Sequence, residues 1–230
     1  MTQEQTFGDP IKLIGILGVQ PDMDLFEQAL THRSFAYEND CGHYERLEFL
    51  GDAILQQAVT LELFERFPHL PEGDMAKRRA ALVSTTALAH IARELELGSY
   101  IRLGRGEVAT GGSDKSSILA DVVESIIGAT FISQGDKAAT ELVLRLVGPL
   151  FADAERFGNA MEPKTFLQEY FDRKQLGKPE YRVDGVGPDH ARVFEATVFH
   201  DSKPIGSGAG ASKKVAEANA ALDALKNLGA

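Results

Sequence analysis

Two groups of acidic residues lie inside stretches that otherwise consist of large apolar side chains. The first stretch, "HYERLEFLGD" at residues 43–52, contains Glu45, Glu48 and Asp52. At about 100° per helical residue, Glu48 lies about 300° and Asp52 about 340° around the axis from Glu45. A helix over this stretch would therefore carry all three carboxylates on one face.

The second group is Asp121 and Glu124 in "ILADVVESIIGA", three residues apart and so also on one helix face. A solvated acidic surface is the ordinary alternative for such a pair. It fits poorly here, because a carboxylate among apolar neighbours needs a partner. These neighbours are Ile118, Leu119, Val122, Val123, Ile126 and Ile127.

If the two helices pack together, Glu48, Asp52, Asp121 and Glu124 converge. Four carboxylates in one place repel each other unless protons or a cation neutralise them. An all-oxygen ligand set suits Mg²⁺ or Mn²⁺ and is a poor match for zinc. Such an ion can lower the pKa of a bound water and brace phosphoryl oxygens. The spacing thus favours metal-dependent phosphodiester hydrolysis.

A di-iron or di-manganese oxidoreductase of the helical-bundle type is the rival from another enzyme class. Those sites need histidine in a Glu-x-x-His spacing. Here Glu45 is followed three residues later by Glu48, and Glu124 by Ile127. Neither pair supplies the histidine, so the sequence disfavours this rival.

Charge and cysteine content indicate the organisation of the chain and its compartment. The net charge of −10 divides into +1 from Pro163 onward and −11 before it, which suggests two modules. A single cysteine, Cys41, excludes a disulfide framework and fits a reducing cytosol. The first 20 residues have neither the basic lead of a signal peptide nor a long apolar run. We therefore expect a cytoplasmic protein with no membrane association.

Residues 1–157 show helical periodicity and predict an all-α domain. We expect a helix in "LFEQALTHRSF" after Asp24, a long one over residues 43–67 before Pro68, and another closed by Gly135. The glycine-rich "LGRGEVATGGSD" is predicted to be a loop.

A linker is predicted at residues 158–162, followed by a small α+β domain over residues 163–230. Its pattern is helix, three strands and helix, with Phe194, Ala196 and Val198 on one face of the second strand.

"ERLEFLGDAIL" resembles the signature of bacterial ribonuclease III, and "SILADVVESIIGA" resembles the second acidic segment of that family. The α-β-β-β-α order resembles a double-stranded RNA-binding domain, the usual companion. The resemblance covers nearly the whole chain. It implies an all-α endonuclease domain followed by a double-stranded RNA-binding domain.

The resemblance also implies a site and a reaction. Glu48, Asp121 and Glu124 would ligate Mg²⁺, with Mn²⁺ as a substitute, beside Asp52 as a further catalytic carboxylate. Glu45 and Glu72 would be accessory acidic residues. The implied reaction is hydrolysis of both strands of double-stranded RNA, leaving 5′-phosphate and 3′-hydroxyl ends with short 3′ overhangs. Implied substrates are precursors of ribosomal RNA and of some messenger and transfer RNAs.

The family pairs two such domains through the signature helix, and Phe49 matches the aromatic residue that inserts into the other subunit. We therefore expect a homodimer.

Proteins recognise A-form duplexes by their shape, 2′-hydroxyls and phosphates. The α-β-β-β-α module supplies polar and basic groups for such contacts, so RNA contacts are expected mainly from the second module. Two lysines at a helix start are by themselves usually a solvated surface, but their place after "GSGAGAS" in this module favours phosphate contact. A lone histidine such as His190 is more often a surface residue than a contact. The residues expected to contact RNA are Thr165, Gln168, Glu169, Pro188, His190, Ser212, Lys213 and Lys214, with Lys115 from the first module.

The sequence departs from the family pattern at several positions. Tyr44 stands where asparagine is common and Ala53 where serine is common; neither position is a ligand. Ser113 stands where arginine is frequent, and the neighbouring Asp114 adds a negative charge. Glu217 stands where many such domains carry a third basic residue, so weaker phosphate contact is predicted at both places. A duplex-RNA-binding regulator with an inert nuclease domain is the competing class, although the intact carboxylate set argues against it.

Overall fold

The computed structural model describes residues 7–153, 163–186 and 192–229. The chain divides into two compact units, residues 1–154 and 155–230, and each is described by itself. The predicted linker, 158–162, lies outside the described residues, so the predicted domain boundaries stay a prediction.

The described part of the first unit is built from helices, as its periodicity predicts. In chain order they are α1 (Pro10–Leu17), α2 (Met23–Ala29), α3 (Arg33–Asn39), α4 (Glu45–Arg66), α5 (Glu72–Leu82), α6 (Thr85–Glu94), α7 (Arg105–Ala109), α8 (Ser116–Gln134) and α9 (Asp136–Val147). Short 3₁₀ turns cover Leu97–Ser99, Gly112–Asp114 and Gly148–Asp153.

Helices α4 and α8 form the centre of this unit and approach each other through glycines. A Cβ placed on Gly51 would lie 1.8 Å from the carbonyl oxygen of Glu124, and one on Gly128 would lie 2.2 Å from that of Leu47. No side chain fits between the two backbones at these points. This close approach brings the acidic residues of the two helices together.

The ends of these two helices follow local chemistry. Helix α4 stops at Arg66, one residue before Phe67, because the residue preceding Pro68 disfavours helical dihedrals. Helix α8 is closed by Gly135, whose φ of 82° suits glycine. Both ends agree with the sequence prediction.

Two sequence predictions in this unit are wrong in detail. The helix expected after Asp24 begins earlier, with Asp22 as its N-cap, and the stretch breaks between α2 and α3, where Thr31 forms a bridge with Arg102. The segment expected to be a loop contains α7 and a 3₁₀ turn. Local periodicity could not show either feature, since both depend on distant partners.

Helix α8 is 19 residues long and contains an 18-residue stretch with a mean hydropathy of 1.4, enough by length and composition to cross a membrane. Eleven of its residues are buried within the unit, as is typical of the central helix of a folded domain.

The second unit has the predicted α-β-β-β-α order. It comprises α10 (Pro163–Lys174), β1 (Glu180–Val186), β2 (Val193–His200), β3 (Lys203–Gly210) and α11 (Lys213–Leu228), with an antiparallel sheet in the order β1-β2-β3. Ala196 and Val198 are buried as predicted, and Phe194 packs against the same core.

Helix α11 lies directly on β3 because small residues face each other across the contact. A Cβ on Gly206 would lie 2.4 Å from the nitrogen of Ala224, and one on Gly208 would lie 2.3 Å from that of Ala220. The glycines of "IGSGAG" are therefore packing residues, and the alanines of α11 complete the core.

Candidate nuclease site

Three carboxylates from the two central helices meet in one half-buried group. Glu48 comes from α4, and Asp121 and Glu124 come from α8. Each offers one carboxylate oxygen, and these oxygens all lie within 4.8 Å of one another. The predicted convergence of the two acidic segments is therefore present for these three residues, which we call the carboxylate cluster.

Burial and mutual repulsion shift the protonation of the carboxylate cluster. Burial raises the pKa of Glu124 to about 8, and the charges of Asp52, Asp121 and Glu48 add to the effect. Burial, followed by the charges of Asp121 and Glu45, raises the pKa of Glu48 to about 7. The pKa of Asp121 is also raised, again chiefly by burial. The cluster thus favours neutralisation by protons or by a cation.

Asp52 stands beside the cluster but is more exposed. Its charge is the largest electrostatic contribution to the raised pKa of Glu124, which places it close to that carboxylate. Its Oδ1 accepts a hydrogen bond from Gln56 at 3.4 Å. Among the described residues, Glu48, Asp121 and Glu124 have oxygens close enough together to share one ion, and Asp52 is not in that group. Its catalytic role stays a prediction.

The two accessory acidic residues are both exposed. Glu45 forms ion pairs with Arg33 at 3.4 Å and with His43 at 3.7 Å at the start of α4. Glu72 is the first residue of α5. It does not belong to the carboxylate cluster found among the described residues. Their roles also stay predictions.

Tyr44, one of the departures from the family pattern, contacts the cluster. The residue is 2% exposed, and its hydroxyl donates a hydrogen bond to Oδ2 of Asp121 at 3.2 Å. Burial beside this carboxylate raises the pKa of Tyr44 above its usual range. Local spacing gave no signal for this contact, because the two residues lie 77 positions apart.

A cavity of about 520 Å³ opens beside the cluster. Polar groups dominate its wall, including His32, Arg33 and Lys115 together with Glu48 and Asp121. A cavity of this size with clustered carboxylates at its wall is suited to a polar, charged ligand.

The basic residue expected to contact RNA in the first unit is already paired. Nζ of Lys115 lies 2.5 Å from Oε1 of Glu107 and 2.8 Å from the hydroxyl of Thr110. The neighbouring Asp114 accepts from Arg93 at 2.7 Å, and Arg93 also donates to the Ser116 hydroxyl at 3.1 Å. The carboxylate at Asp114 therefore fixes the turn that leads into α8.

The second unit presents its two lysines as expected. Lys213 and Lys214 are exposed in the first turn of α11, and the hydroxyl of Ser212 caps this helix by accepting from the nitrogen of Val215 at 3.3 Å. A helix N-terminus with exposed lysines favours phosphate groups. Glu217, one turn further on, is held by Lys164 at 2.5 Å.

The remaining predicted RNA contacts lie on α10 or outside the described residues. Thr165 is exposed, and Nε2 of Gln168 donates to Asp172 at 2.8 Å. The side chain of Glu169, and the whole of Pro188 and His190, are outside the described residues.

Large apolar side chains are exposed along α4. Phe49, predicted to insert into a second subunit, is 83% exposed, and Leu61 and Phe64 are 51% and 67% exposed. Such a row is unusual on the surface of a monomer and marks a candidate contact surface.

Known families match both units. Residues 22–150 match the family described as ribonuclease-III-like, and residues 163–228 match the double-stranded RNA binding motif. The fold and the acidic site together define an endoribonuclease that carries a double-stranded RNA-binding domain.

Related proteins agree over the length of the chain. Ribonuclease 3 of Leifsonia xyli subsp. xyli is 55% identical over 94% of this chain and 92% of that protein. Ribonuclease 3 of Mycobacterium tuberculosis is 50% identical over 94% and 92%. The nuclease domain of ribonuclease III from Campylobacter jejuni superposes with a TM-score of 0.58 at 42% identity, covering 61% of this chain and 97% of that one. The chain belongs to the ribonuclease III family.

Proposed function

We propose that this endoribonuclease uses Mg²⁺ to hydrolyse both strands of double-stranded RNA. The products would carry 5′-phosphate and 3′-hydroxyl ends with short 3′ overhangs. The observation that carries the proposal is the carboxylate cluster, three acidic side chains from two helices whose oxygens lie within 4.8 Å.

The residues fit a hard divalent ion. Glu48, Asp121 and Glu124 would hold it, because their donor atoms are all oxygens. Their raised pKa values show that the ionised carboxylates are destabilised by burial and mutual repulsion, which a bound cation would relieve. When bound, Mg²⁺ supplies the charge that activates water and stabilises phosphoryl oxygens, and Mn²⁺ would serve in the same place. Asp52, exposed near Glu124, would serve as the further catalytic carboxylate.

Both units would contribute to holding the RNA. Lys213 and Lys214 at the start of α11 offer two cationic groups to backbone phosphates. Pairing of Lys115 with Glu107 leaves less positive charge at the nuclease domain. We therefore expect the second unit to supply most of the salt-dependent affinity for duplexes.

The active form is proposed to be a homodimer joined through α4. The Campylobacter jejuni nuclease domain is described as having a region involved in dimer formation. In this chain the exposed Phe49 is the candidate residue for that contact. Two sites related by twofold symmetry could cut the two strands of one duplex.

The proposed substrates are precursors of ribosomal RNA and of some messenger and transfer RNAs, and the proposed location is the cytoplasm. A lone, exposed Cys41 is compatible with that reducing compartment.

The test compares the wild-type protein with Glu124→Gln on a labelled RNA duplex, with and without Mg²⁺. We expect the cleavage rate of the variant to fall by more than about 100-fold, because a proposed metal ligand is replaced. Mutating residues that only orient metal ligands already lowers metal affinity or activity about 10- to 100-fold. Binding of the duplex in a gel-shift assay without metal should stay within a factor of about two.

Glu141→Gln on α9 is the matched control, because its carboxylate pairs only weakly with Lys137 at 3.9 Å on the surface. This control should cut at the wild-type rate. If the wild-type protein binds the duplex but never cuts it with Mg²⁺ or Mn²⁺, the binding-module interpretation replaces the proposal.

A further inference from the structure

Tyr44 joins three parts of the nuclease site, although it carries no charge and is not among the proposed metal ligands. Its backbone nitrogen donates to the carbonyl of Thr31 at 3.0 Å, which ties the start of α4 to the segment between α2 and α3. Its carbonyl accepts from the nitrogen of Glu48 at 2.9 Å, within the first turn of α4. Its hydroxyl reaches across to Asp121 on α8.

From this geometry we propose that Tyr44 is a positioning residue for the metal site, acting through the hydroxyl that it donates to Asp121. The inference rests on the proposed Mg²⁺-dependent function. It assigns a role in setting metal affinity to a residue outside the ligand set.

The hydroxyl would act by holding the carboxylate of Asp121 in place. It donates to Oδ2 of Asp121 at 3.2 Å, which limits rotation of the carboxylate. A buried donor held by its own backbone keeps this orientation before metal arrives.

A purely structural role is the alternative, and it would depend on the ring and not on the hydroxyl. The ring is buried and lies 5.7 Å from that of His32, centroid to centroid. Tyr44→Phe keeps the ring and removes only the oxygen, so it separates the two roles.

The experiment measures Mn²⁺ and Mg²⁺ binding to the RNA-free protein by calorimetry for wild type and Tyr44→Phe. We expect the variant to bind metal about 10-fold more weakly, in the range typical of residues that orient ligands. In cleavage assays the Mg²⁺ concentration for half-maximal rate should rise by a similar factor, while the KM for duplex RNA stays unchanged.

Tyr100→Phe is the matched control, because Tyr100 is 6% exposed in the same unit and does not line the cavity beside the cluster. It should leave metal affinity unchanged. Equal metal affinities for wild type and Tyr44→Phe, or a lowered melting temperature with no change in metal affinity, would overturn the inference. If wild type itself binds no metal and cuts no duplex, the proposed function fails, and the inference fails with it.

Discussion

Carboxylates that share a half-buried site lower the stability of the folded chain whenever all of them are ionised. Glu48 and Glu124 are in this situation, since burial and neighbouring charges raise their pKa values to about 7 and about 8. A catalytic domain retains such groups at a cost in stability because the same repulsion becomes binding energy for a divalent ion. The single residues therefore link stability, pH and metal binding.

This linkage predicts how the metal-free protein responds to pH. An acidic group whose folded pKa exceeds its unfolded value binds more protons when folded, so stability falls as pH rises between the two values. For Glu124 the window runs from its ordinary value of 4.5 to about 8. In EDTA, the melting temperature of wild type should fall between pH 5 and pH 8, and that of Glu124→Gln should fall less.

Mg²⁺ should raise the wild-type melting temperature more at pH 8 than at pH 6, because metal competes with protons for the same oxygens. Parallel pH profiles for wild type and Glu124→Gln in scanning calorimetry would contradict the assignment of the raised pKa to this carboxylate.

The meeting of the two acidic segments could be predicted from spacing, whereas the residues that support the carboxylate cluster could not. Glu48, Asp121 and Glu124 stand out because charges inside apolar helical segments need a partner. Tyr44, Glu107 and Arg93 act through contacts with residues at least eight positions away in sequence, and their types occur on many helices. The pairing of Lys115 with Glu107 and of Asp114 with Arg93 depends on the tertiary structure and leaves no pattern in the sequence.

Between elements, the contact of α4 with α8 decides whether the cluster exists. Gly51 and Gly128 let the two backbones touch along a line that we call the glycine seam. The helices can therefore bring side chains from α4 and α8 close together beside it. An internal glycine normally weakens a helix by up to about 1 kcal/mol relative to alanine. Here the close packing offsets that loss.

Gly128→Ala tests this contact. The added methyl group would meet the carbonyl oxygen of Leu47 at 2.2 Å, so the helices must move apart. We expect a loss of about 1–3 kcal/mol in the free energy of unfolding, measured with urea, because overpacking of a rigid contact outweighs the gain in helix propensity. Metal affinity should fall as well, since Glu48 and Glu124 separate.

Gly15→Ala in α1 is the control, because a Cβ at Gly15 has nothing within 4 Å. It should be neutral or stabilising by up to about 1 kcal/mol. If both variants unfold at the same urea concentration as wild type, the glycine seam does not hold the helices together.

Elements with clear ends were predictable, and those defined by tertiary contacts were not. Pro68 and Gly135 stop α4 and α8 at the expected places. By contrast, α7 is only five residues long and lies in a glycine-rich segment whose composition indicates a loop. Its first turn is fixed from outside, since the nitrogen of Gly104 donates to Ser34 and that of Arg105 donates to Glu38.

On the scale of the whole molecule, the exposed apolar row on α4 bears on the oligomeric state. At about 100° per residue, Phe49, Leu61 and Phe64 fall within an arc of roughly 120° on one side of the helix. That side lies opposite Gly51, which contacts α8, and opposite the buried Leu55. A second copy of the same face would cover it by twofold symmetry.

Phe49→Ser should therefore convert the proposed dimer into a monomer. Phe49 is 83% exposed in the single chain, and burying a phenylalanine contributes about 1.5–3 kcal/mol. A twofold-symmetric contact loses this energy twice, so the dimer dissociation constant should rise roughly 100- to 20,000-fold. Sedimentation velocity across a concentration series measures this directly, and duplex cleavage on both strands should fall with the dimer population.

Tyr37→Ser is the matched control, since Tyr37 is 93% exposed but lies on α3. Its loss should leave the dissociation constant unchanged if the contact surface is α4. If the wild-type protein sediments as a monomer at micromolar concentration, cleavage of both strands does not require a dimer. Each chain would then have to cut the two strands in successive binding events, and nicked duplexes would accumulate as intermediates.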